Sequence, residues 1–282
     1  MKYVVITGAS TGIGYDAARF LIERGFHVFG SVRKQADADR VQAALGEQFT
    51  PLLFDVTDGA AIETAVTQVS TKIGRSGLAG LVNNAGIAVA GPLMYLPLAE
   101  FRRQMEINLY GQLEVTQKFL PLLGAVPNAP HPPGRIVNIS SVSGKVVYPF
   151  MGPYAASKHA LEAISDALRR ELLIFGIDVI VIGPGSVQTP IWDKAEELDT
   201  APYNNTPYKE MMEGMKKVLV RQGKSGIPVE KVSEVIYEAL TKEKPKVRYA
   251  IARKLLSGWL LPRYLPARLF DNVVAKRLGI KK

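Results

Sequence analysis

The stretch TGASTGIG, residues 7–14, decides the fold because it links a strand-like run to a helical pattern through a glycine-rich turn. Its glycines, Gly8, Gly12 and Gly14, follow G-x-x-x-G-x-G spacing. Glycine lets the backbone turn tightly and approach a pyrophosphate, and the free amides at a helix N-terminus bind that anion. The alternative is a plain strand-to-helix turn. The position of the stretch, at the first strand of a strand–helix series, favours a phosphate loop.

Outward from this turn, strand-like apolar runs alternate with helical patterns. The alternation predicts βαβ units and hence an α/β fold with a doubly wound parallel sheet, in which ligands bind outside the carboxyl ends of the strands. Weak periodicity after the last run predicts an irregular flap with short helices over 186–226, within one domain that spans 1–250. The strand-like runs lie at 3–8, 27–32, 49–56, 78–86, 134–141 and 177–185.

Composition narrows the classes of function. The 282 residues are 47% hydrophobic and 22% charged, as in soluble globular chains, and the absence of cysteine excludes disulfides and thiolate chemistry. No signal-peptide pattern precedes the first strand, and no apolar run approaches the ~18–20 residues that span a bilayer, so we expect a cytoplasmic protein. The formal net charge of +9 is concentrated in residues 242–282, which hold twelve basic and two acidic residues.

The second strand indicates which dinucleotide binds. Sites that prefer NAD place an acid about 20 residues after the glycines, where it bonds the ribose hydroxyls. Here Val32 holds that position, and Arg33 and Lys34 follow. A guanidinium suits a 2′-phosphate, which predicts NADP(H) rather than NAD(H), although Arg33 can also be read as a solvated charge. Asp55 ends the third strand, where it can accept a bond from the adenine amine or serve as a turn or cap residue.

The stretch YAASK, residues 154–158, places Tyr154 and Lys158 four residues apart on one helix face. An ammonium beside a phenol favours the phenolate, so we expect Lys158 to lower the pKa of Tyr154 from its ordinary value near 10. Ser141 lies at the carboxyl end of a predicted strand, where its hydroxyl can bond a substrate carbonyl. Together these side chains predict a proton donor beside a bound carbonyl.

Six motifs together resemble the short-chain dehydrogenase/reductase family. They occur in the family's order and at its spacing over residues 1–190, which implies a single-domain Rossmann fold. The stretches GSVRKQ and 161–190 and the basic tail resemble the branch of retinol and 17β-hydroxysteroid dehydrogenases. The six motifs are TGASTGIG, LVNNAG, INLYG, NISS, YAASK and GPG.

The resemblance implies a role for each catalytic residue. Tyr154 is the general acid in reduction and the base in oxidation, while Lys158 lowers its pKa and bonds the nicotinamide ribose. Ser141 polarises the carbonyl oxygen. Asn108 holds a water that joins Lys158 to a proton relay, although asparagine also suits a helix kink. Thr189 bonds the nicotinamide carboxamide.

The predicted cofactor site extends beyond these side chains. NNAG is implied to line the cofactor and to steady the sheet, and the GPG turn to lie near the nicotinamide. The cofactor-binding residues that we predict are Gly8, Ser10, Thr11, Gly12, Ile13, Gly14, Arg33, Asp55, Val56, Asn83, Ala85, Gly86, Tyr154, Lys158, Pro184, Gly185, Val187 and Thr189.

The substrate side is predicted to be apolar, which favours a hydrophobic alcohol, ketone or aldehyde such as a retinoid, a steroid or an aryl or alkyl carbonyl. Each candidate wall residue can equally be a core residue. The three histidines, His27, His131 and His159, are not among the predicted catalytic residues, and we expect no metal site. The candidate wall residues are Val142, Tyr148, Phe150, Met151, Ile191 and Trp192.

The segment 251–282 interleaves basic, apolar and aromatic residues, as an amphipathic C-terminal extension does. It can lie on a membrane surface, close the substrate pocket or cover a subunit contact. It has no nucleic-acid reading motif, so we expect no nucleic-acid partner. The resemblance places dimer surfaces on helices at about 100–120 and 154–175, which implies a homodimer or homotetramer.

The sequence therefore predicts an NADP-dependent carbonyl reductase or alcohol dehydrogenase. The alternative is a non-catalytic NADP-binding regulatory protein on the same fold. Intact Ser141, Tyr154 and Lys158 favour the enzyme, because a protein that only senses the dinucleotide does not require them.

Overall fold

The computed structural model describes residues 1–189, 199–253 and 261–278. Within these residues seven parallel strands form one sheet in the order β3-β2-β1-β4-β5-β6-β7. The predicted doubly wound parallel sheet is thus confirmed. The strands are β1 Lys2–Ile6, β2 Phe26–Val32, β3 Phe49–Leu53, β4 Gly80–Asn83, β5 Arg135–Ile139, β6 Asp178–Pro184 and β7 Arg248–Ile251.

Helices connect the strands and cover both faces of the sheet. A single π-helical turn, Glu106–Tyr110, lies between two of them. No helix in the described ranges is long and apolar enough to cross a membrane. The α-helices are α1 Gly12–Ile22, α2 Gln35–Leu45, α3 Gly59–Ile73, α4 Leu98–Met105, α5 Gly111–Phe119, α6 Gly152–Glu171, α7 Lys209–Lys224, α8 Glu230–Thr241, α9 Leu261–Tyr264 and α10 Ala267–Leu278.

The core has one layer on each side of the sheet because successive strand residues point to opposite faces. On β1, Val4 and Ile6 face the layer formed with α1, α2 and α8. Val5 faces the layer formed with α3, α5 and α6. Strands covered on both faces read as continuous apolar runs, which is why YVVITG and VIVIG look as they do in the sequence.

The topology creates the cleft. β1 pairs with β2 on one side and with β4 on the other, so the direction in which strands are added reverses between β1 and β4. The turn at residues 7–14 and the NNAG stretch leave the sheet at this switch point, where open α/β sheets bind ligands.

Two elements differ from the sequence prediction. β7 was not predicted, since its four residues carry no strand-length apolar run. The flap was expected to hold only short helices, but α7 is a regular helix of 16 residues. Its buried Met212 and Met215 pack with Phe150 and Tyr203. This tertiary packing stabilises the helix, and it cannot be read from the local sequence pattern.

Candidate active site

The turn after β1 has the shape of a phosphate cradle. Gly8 and Gly12 have φ of +68° and +60°, a left-handed conformation that favours glycine. A Cβ on Gly14 would overlap the carbonyl oxygen of Gly8, so only glycine lets α1 start this close to the turn. Thr11 precedes α1 without a side-chain cap, which leaves the first-turn amides to an anion.

Side chains from two neighbouring strands hold this turn in shape. The amide group of Asn84 donates to the carbonyl oxygens of Thr7 (2.9 Å) and Gly8 (3.1 Å). The Thr7 hydroxyl accepts from the backbone N–H groups of Asn84 and Ala85, both at 2.9 Å. The hydroxyl of Ser31, on β2, accepts from the Gly8 N–H at 2.9 Å. The sequence analysis missed Asn84, Thr7 and Ser31, and the doubled asparagine of LVNNAG was the signal available.

The end of β2 presents an exposed cation, which is only loosely paired. Val32 is buried, whereas the side chain of Arg33 is 65% exposed and its nearest carboxylate oxygen, on Asp55, is 3.8 Å away. Asp55 accepts from the N–H (3.0 Å) and hydroxyl (2.8 Å) of Thr57, so the turn role of Asp55 is the one that the structure shows. Arg33 is therefore accessible to an anion beside the cleft.

A second arginine reaches the same region from α2. Arg40 donates to the carbonyl oxygen of Ser10 at 2.9 Å and to the carboxylate of Asp37 at 2.8 Å. The contact ties α2 to the phosphate turn 30 residues earlier. Nothing in the sequence pattern identified Arg40, because its partner is distant along the chain.

Three of the four predicted catalytic side chains, those of Ser141, Tyr154 and Lys158, lie near the carboxyl end of β5. Ser141 begins the 3-10 turn Val142–Gly144, and its hydroxyl accepts from the Ser143 N–H at 3.1 Å. The Ser141 side chain is near enough to the Tyr154 phenol to lower its pKa. The Lys158 ammonium, one helical turn further, donates to the carbonyl oxygen of Ile139 at 2.8 Å and lies 5.9 Å from the centre of the Tyr154 ring.

Burial sets the protonation of this group. Desolvation raises the pKa of Tyr154, and the nearby Ser141 side chain only partly offsets this shift. The expected lowering of this pKa is therefore wrong for the structure described here, in which the ammonium is bonded to Ile139. Desolvation lowers the pKa of Lys158 to about 8, against the opposing charge of Glu162. At neutral pH the phenol thus keeps its proton and the amine is mostly charged.

Asn108 lies in the π-helical turn and is fully buried. Its amide pairs with both backbone groups of Ile87, accepting from the N–H at 2.8 Å and donating to the carbonyl oxygen at 2.9 Å. It also donates to Ser157 on α6 at 3.3 Å. Gln104, which the sequence analysis missed, binds the same segment through Val89 N–H (2.7 Å) and Ile87 O (2.9 Å). Asn108 thus has the kink role, and its water-holding role stays a prediction.

The first asparagine of NNAG lies within the sheet. Asn83 is 1% exposed and donates to the Thr116 hydroxyl at 2.8 Å and to Asn138 at 2.9 Å. These bonds join β4 to α5 and β5, as the predicted sheet-steadying role requires. The side chain that reaches the phosphate turn belongs instead to the next residue, Asn84.

The end of β6 and the residues that follow it lie close both to Ser141 and to the phosphate turn. The carbonyl oxygen of Pro184 accepts from the Ser141 hydroxyl at 3.4 Å, and the Gly185 N–H donates to Ile251 at 2.8 Å. A Cβ built on Gly12 would lie 3.4 Å from the Cβ of Thr189, so the Thr189 side chain lies beside the phosphate turn. Buried Val187 forms a bridge with Ile227.

The remaining predicted cofactor residues line the turns at the same edge. Ile13 packs against the core, Val56 is buried, and the carbonyl oxygen of Ala85 accepts from Gln112 at 2.8 Å. A Cβ on Gly86 would come within 3.1 Å of the Asn108 side chain.

The arrangement combines a phosphate cradle, an exposed cation and a serine–tyrosine–lysine group at one edge of a doubly wound sheet. A family model described as short chain dehydrogenase matches residues 2–199. The chain belongs to the short-chain dehydrogenase family.

Similar proteins include reductases and dehydrogenases. The chain is 42% identical over 278 residues, 99% of its own length and 98% of the relative's, to an NADPH-dependent 3-dehydrocapnine reductase from Ornithobacterium rhinotracheale. It is 33% identical over 289 residues to human retinol dehydrogenase 5, covering 96% of this chain and 87% of the relative. The resemblance to retinol dehydrogenases predicted from the sequence is confirmed.

Solved structures agree with this assignment. A short-chain dehydrogenase from Streptomyces avermitilis has a TM-score of 0.75 at 26% identity, covering 99% of this chain and 95% of the other. A single-residue variant of actinorhodin polyketide ketoreductase with NADPH has a TM-score of 0.75 at 27% identity, covering 90% of this chain and 97% of the other. The protein is thus an oxidoreductase of the short-chain dehydrogenase family.

The substrate side of this short-chain dehydrogenase is only partly described. Val142 begins the turn after Ser141, and Met151 precedes α6. Phe150 is 8% exposed and packs with α7 and Tyr203, so the alternative role of a core residue applies to it. The Tyr148 ring lies 6.0 Å, edge to face, from that of Phe270 on α10. The predicted wall residues Ile191 and Trp192 lie outside the described residues.

The histidines take part in local structure. His27 bonds Thr50 at 2.8 Å, and burial, with the charge of Lys72, lowers its pKa to about 4. The ring nitrogen Nδ1 of His131 bonds Pro132 at 3.0 Å, and that of His159 bonds Ala155 at 2.9 Å. The described residues contain no group of three potential metal ligands.

Proposed function

We propose that the protein is an NADPH-dependent reductase of a hydrophobic ketone or aldehyde, which also runs in reverse as an alcohol dehydrogenase. The observation that carries this proposal is the grouping of Ser141, Lys158 and the buried Tyr154 phenol, which retains its proton, at the carboxyl end of β5. A protonated phenol beside a second hydroxyl is what a carbonyl oxygen requires as it gains negative charge.

The proposed chemistry divides the work between the dinucleotide and the chain. The dinucleotide, when bound, supplies the hydride. Ser141 donates a hydrogen bond to the substrate oxygen, and Tyr154 transfers its phenolic proton to that oxygen, which completes the alcohol. The Lys158 ammonium has three N–H donors, of which the contact with Ile139 uses one, and we assign the others to the nicotinamide ribose.

The fit of the dinucleotide rests on the phosphate cradle and on Arg33. The positive φ angles of Gly8 and Gly12 and the uncapped start of α1 suit a pyrophosphate. The choice of NADPH is supported by the exposed guanidinium of Arg33, whose long 3.8 Å ion pair with Asp55 leaves N–H donors for a 2′-phosphate. The relative at 42% identity carries NADPH dependence in its name.

The reductive direction is proposed from the relative at 42% identity, which is named as a reductase. In that direction Tyr154 must carry the proton that it transfers, and its raised pKa keeps the phenol protonated at neutral pH. Two observations support the proposed substrate class. Apolar residues, Val142, Tyr148 and Met151, lie between Ser141 and Tyr154 in the chain. The two relatives described above have names that specify a 3-dehydrocapnine and a retinol.

A substrate panel tests the proposal. Purified protein and NADPH are mixed with 3-dehydrocapnine, retinal, a steroid ketone and an aryl ketone, and the loss of NADPH absorbance is followed. We expect turnover of at least one of them, with NADPH preferred to NADH. Tight NADPH binding without turnover of any compound would favour the non-catalytic regulatory protein instead.

We also propose that the C-terminal segment forms one wall of the substrate site. The contact between Phe270 on α10 and Tyr148, seven residues after Ser141, supports this placement. Phe270→Ala should raise KM for the panel ketone about tenfold without weakening NADPH binding, since a hydrophobic contact of this size discriminates to that extent. Val273→Ala, on the same helix but 52% exposed, is the matched control and should leave KM unchanged.

Sedimentation with anionic phospholipid vesicles separates this proposal from a membrane role. An unchanged KM in Phe270→Ala together with co-sedimentation of the wild-type protein would assign the basic tail to a membrane surface instead.

A further inference from the structure

A buried carboxylate lies one helical turn beyond Lys158. Glu162 is on α6, and its side chain is only 3% exposed. Two cations from other elements reach it: Lys145 Nζ lies 3.2 Å from its Oε2, and the Arg248 guanidinium contacts the same oxygen. These contacts pair charges without the geometry of directional hydrogen bonds. Asp166 lies a turn further along and is 3.8 Å from Arg248.

The cation on the Ser141 side is attached through a short, rigid turn. The Gly144 N–H donates to the carbonyl oxygen of Ser141 at 2.9 Å, and the Lys145 N–H donates to that of Val142 at 3.1 Å. Lys145 therefore ends the same 3-10 turn that Ser141 begins. Whatever holds Lys145 in place also restrains the backbone that presents the Ser141 hydroxyl.

Packing beneath this turn leaves no space for movement toward α6. A Cβ on Gly144 would lie 2.7 Å from the Ser140 hydroxyl, 3.0 Å from Glu162 Cγ and 3.2 Å from the Lys158 carbonyl oxygen. The turn thus rests directly on the helix segment between Lys158 and Glu162. The ion pair joins Lys145, at the end of the turn, to the helix, and the lack of a Cβ at Gly144 permits the close approach of the two.

We propose that Glu162 is a positioning residue, which anchors the turn that carries Ser141 to the helix that carries Tyr154 and Lys158. The inference rests on the proposed reductase function and names a further residue for that reaction. Its charge acts on the amine as well, because the Glu162 carboxylate opposes the desolvation that lowers the pKa of Lys158. The charged groups around Glu162 are Lys145, Lys158, Asp166 and Arg248.

A purely structural role would produce different results. A buried ion pair is by itself weak evidence for stability, because desolvation offsets much of the attraction. If Glu162 only stabilised the fold, its loss would lower the melting temperature and leave the kinetics of the folded fraction unchanged. A positioning role instead predicts a lower kcat, a shifted pH profile and a looser Ser141 turn.

Two variants with opposite charge changes test the proposal. Glu162→Gln should lower kcat about tenfold, since small misplacements of reacting groups have effects of this size or larger. It should also move the alkaline limb of kcat/KM to lower pH, because the Lys158 ammonium loses a favourable charge. Lys145→Met should lower kcat to a similar extent. It should not move the alkaline limb of kcat/KM to lower pH, because loss of a cation does not lower the pKa of Lys158. The double variant should lose no more kcat than either single one.

Hydrogen exchange provides a measurement that does not depend on turnover. Amides of residues 142–146 should exchange faster in both single variants, whereas those in the middle of α1 should not change. Glu171→Gln is the matched control, since it makes the same substitution at an exposed position at the end of the same helix. It should keep the wild-type kcat, pH limb and exchange.

Failure of the inference can be distinguished from failure of the proposed function. A wild-type kcat, pH profile and amide exchange in Glu162→Gln, or an equal loss of kcat in Glu171→Gln, would overturn the inference while leaving the reductase intact. If Glu162→Gln does not fold, Lys145→Met, at a side chain that is 26% exposed, decides by the same criteria. If the wild-type protein reduces no panel ketone, the proposed function fails, and the exchange measurement still tests the hold on the turn.

Discussion

At the scale of single residues, two opposing effects determine the chemistry of Tyr154. Burial raises the pKa of its phenol, and Ser141 lowers it by a smaller amount. The sequence identified Tyr154, Ser141 and Lys158, because the spacing of the motifs places two of them on one helix face and the third at a strand end. It did not reveal the sign of the pKa shift, since desolvation depends on residues packed from the whole chain.

Arg33 should determine the choice of dinucleotide. Arg33→Asp should weaken NADPH binding by a factor of ten or more, about 1.4 kcal/mol or above, while NADH binding changes little. The reason is that we assign the replaced guanidinium to the 2′-phosphate, which NADH lacks. Fluorescence titration of both dinucleotides measures the ratio.

A matched control for Arg33→Asp is available near the amino ends of the strands, away from the predicted cofactor site. Arg75→Asp makes the same charge change in the 3-10 turn Gly74–Ser76, before β4. It should leave both affinities unchanged. Equal losses of NADPH and NADH affinity in Arg33→Asp would contradict the assignment.

Lys158 should make dinucleotide binding depend on pH. Its pKa of about 8 lies below the ordinary value, so the folded site loses this ammonium as pH rises through about 8. NADPH affinity should therefore fall between about pH 7 and pH 9, because the uncharged amine is a weaker partner for the ribose and the nearby anions. Titrations across this range in the wild-type protein and in Lys158→Met measure the effect, and an equal slope in both would contradict it.

At the scale of elements, the site depends on contacts between helices and loops. Strands β1 to β6 and the main helices between them were predictable, because apolar runs and periodicity are local properties. The contact of Asn84 with the phosphate turn was not, since adjacent residues at a strand end point in different directions and only the fold decides which one reaches Gly8. Gln104, Arg40 and Glu162 were missed for a similar reason: each has a partner at least 15 residues away.

The π-helical turn should be required to hold the segment after β4. Asn108→Ala leaves the N–H and carbonyl groups of Ile87 without their side-chain partner, and unmade bonds of this kind cost about 1–3 kcal/mol each. We expect a loss of about 2–4 kcal/mol in the free energy of unfolding and faster amide exchange at residues 87–89. Denaturant unfolding and hydrogen exchange measure the two effects.

Asn205→Ala is the control for this change, because Asn205 is exposed in the loop before α7. It should alter stability by no more than about 0.5 kcal/mol. An Asn108→Ala protein as stable as the Asn205→Ala protein would show that the bonds to Ile87 contribute little.

At the scale of the whole molecule, the parallel sheet gathers residues from distant parts of the chain at one edge. The phosphate turn follows β1, Arg33 follows β2, Asn84 follows β4, Ser141 follows β5 and Pro184 ends β6. The sequence predicted this convergence because all carboxyl ends of a doubly wound parallel sheet share an edge. The substrate wall was harder to predict, since α7 and α10 reach it through side-chain packing and not through sheet topology.

Replacing Tyr154 by phenylalanine tests the central claim most directly, because it removes the transferable proton and little else. NADPH binding and turnover of a panel ketone are measured in Tyr154→Phe and in Tyr110→Phe, which removes a phenol that is 54% exposed. We expect Tyr154→Phe to bind NADPH as the wild-type protein does and to lose turnover by about 10²-fold or more, with no loss in the control. Wild-type turnover in Tyr154→Phe would contradict the account.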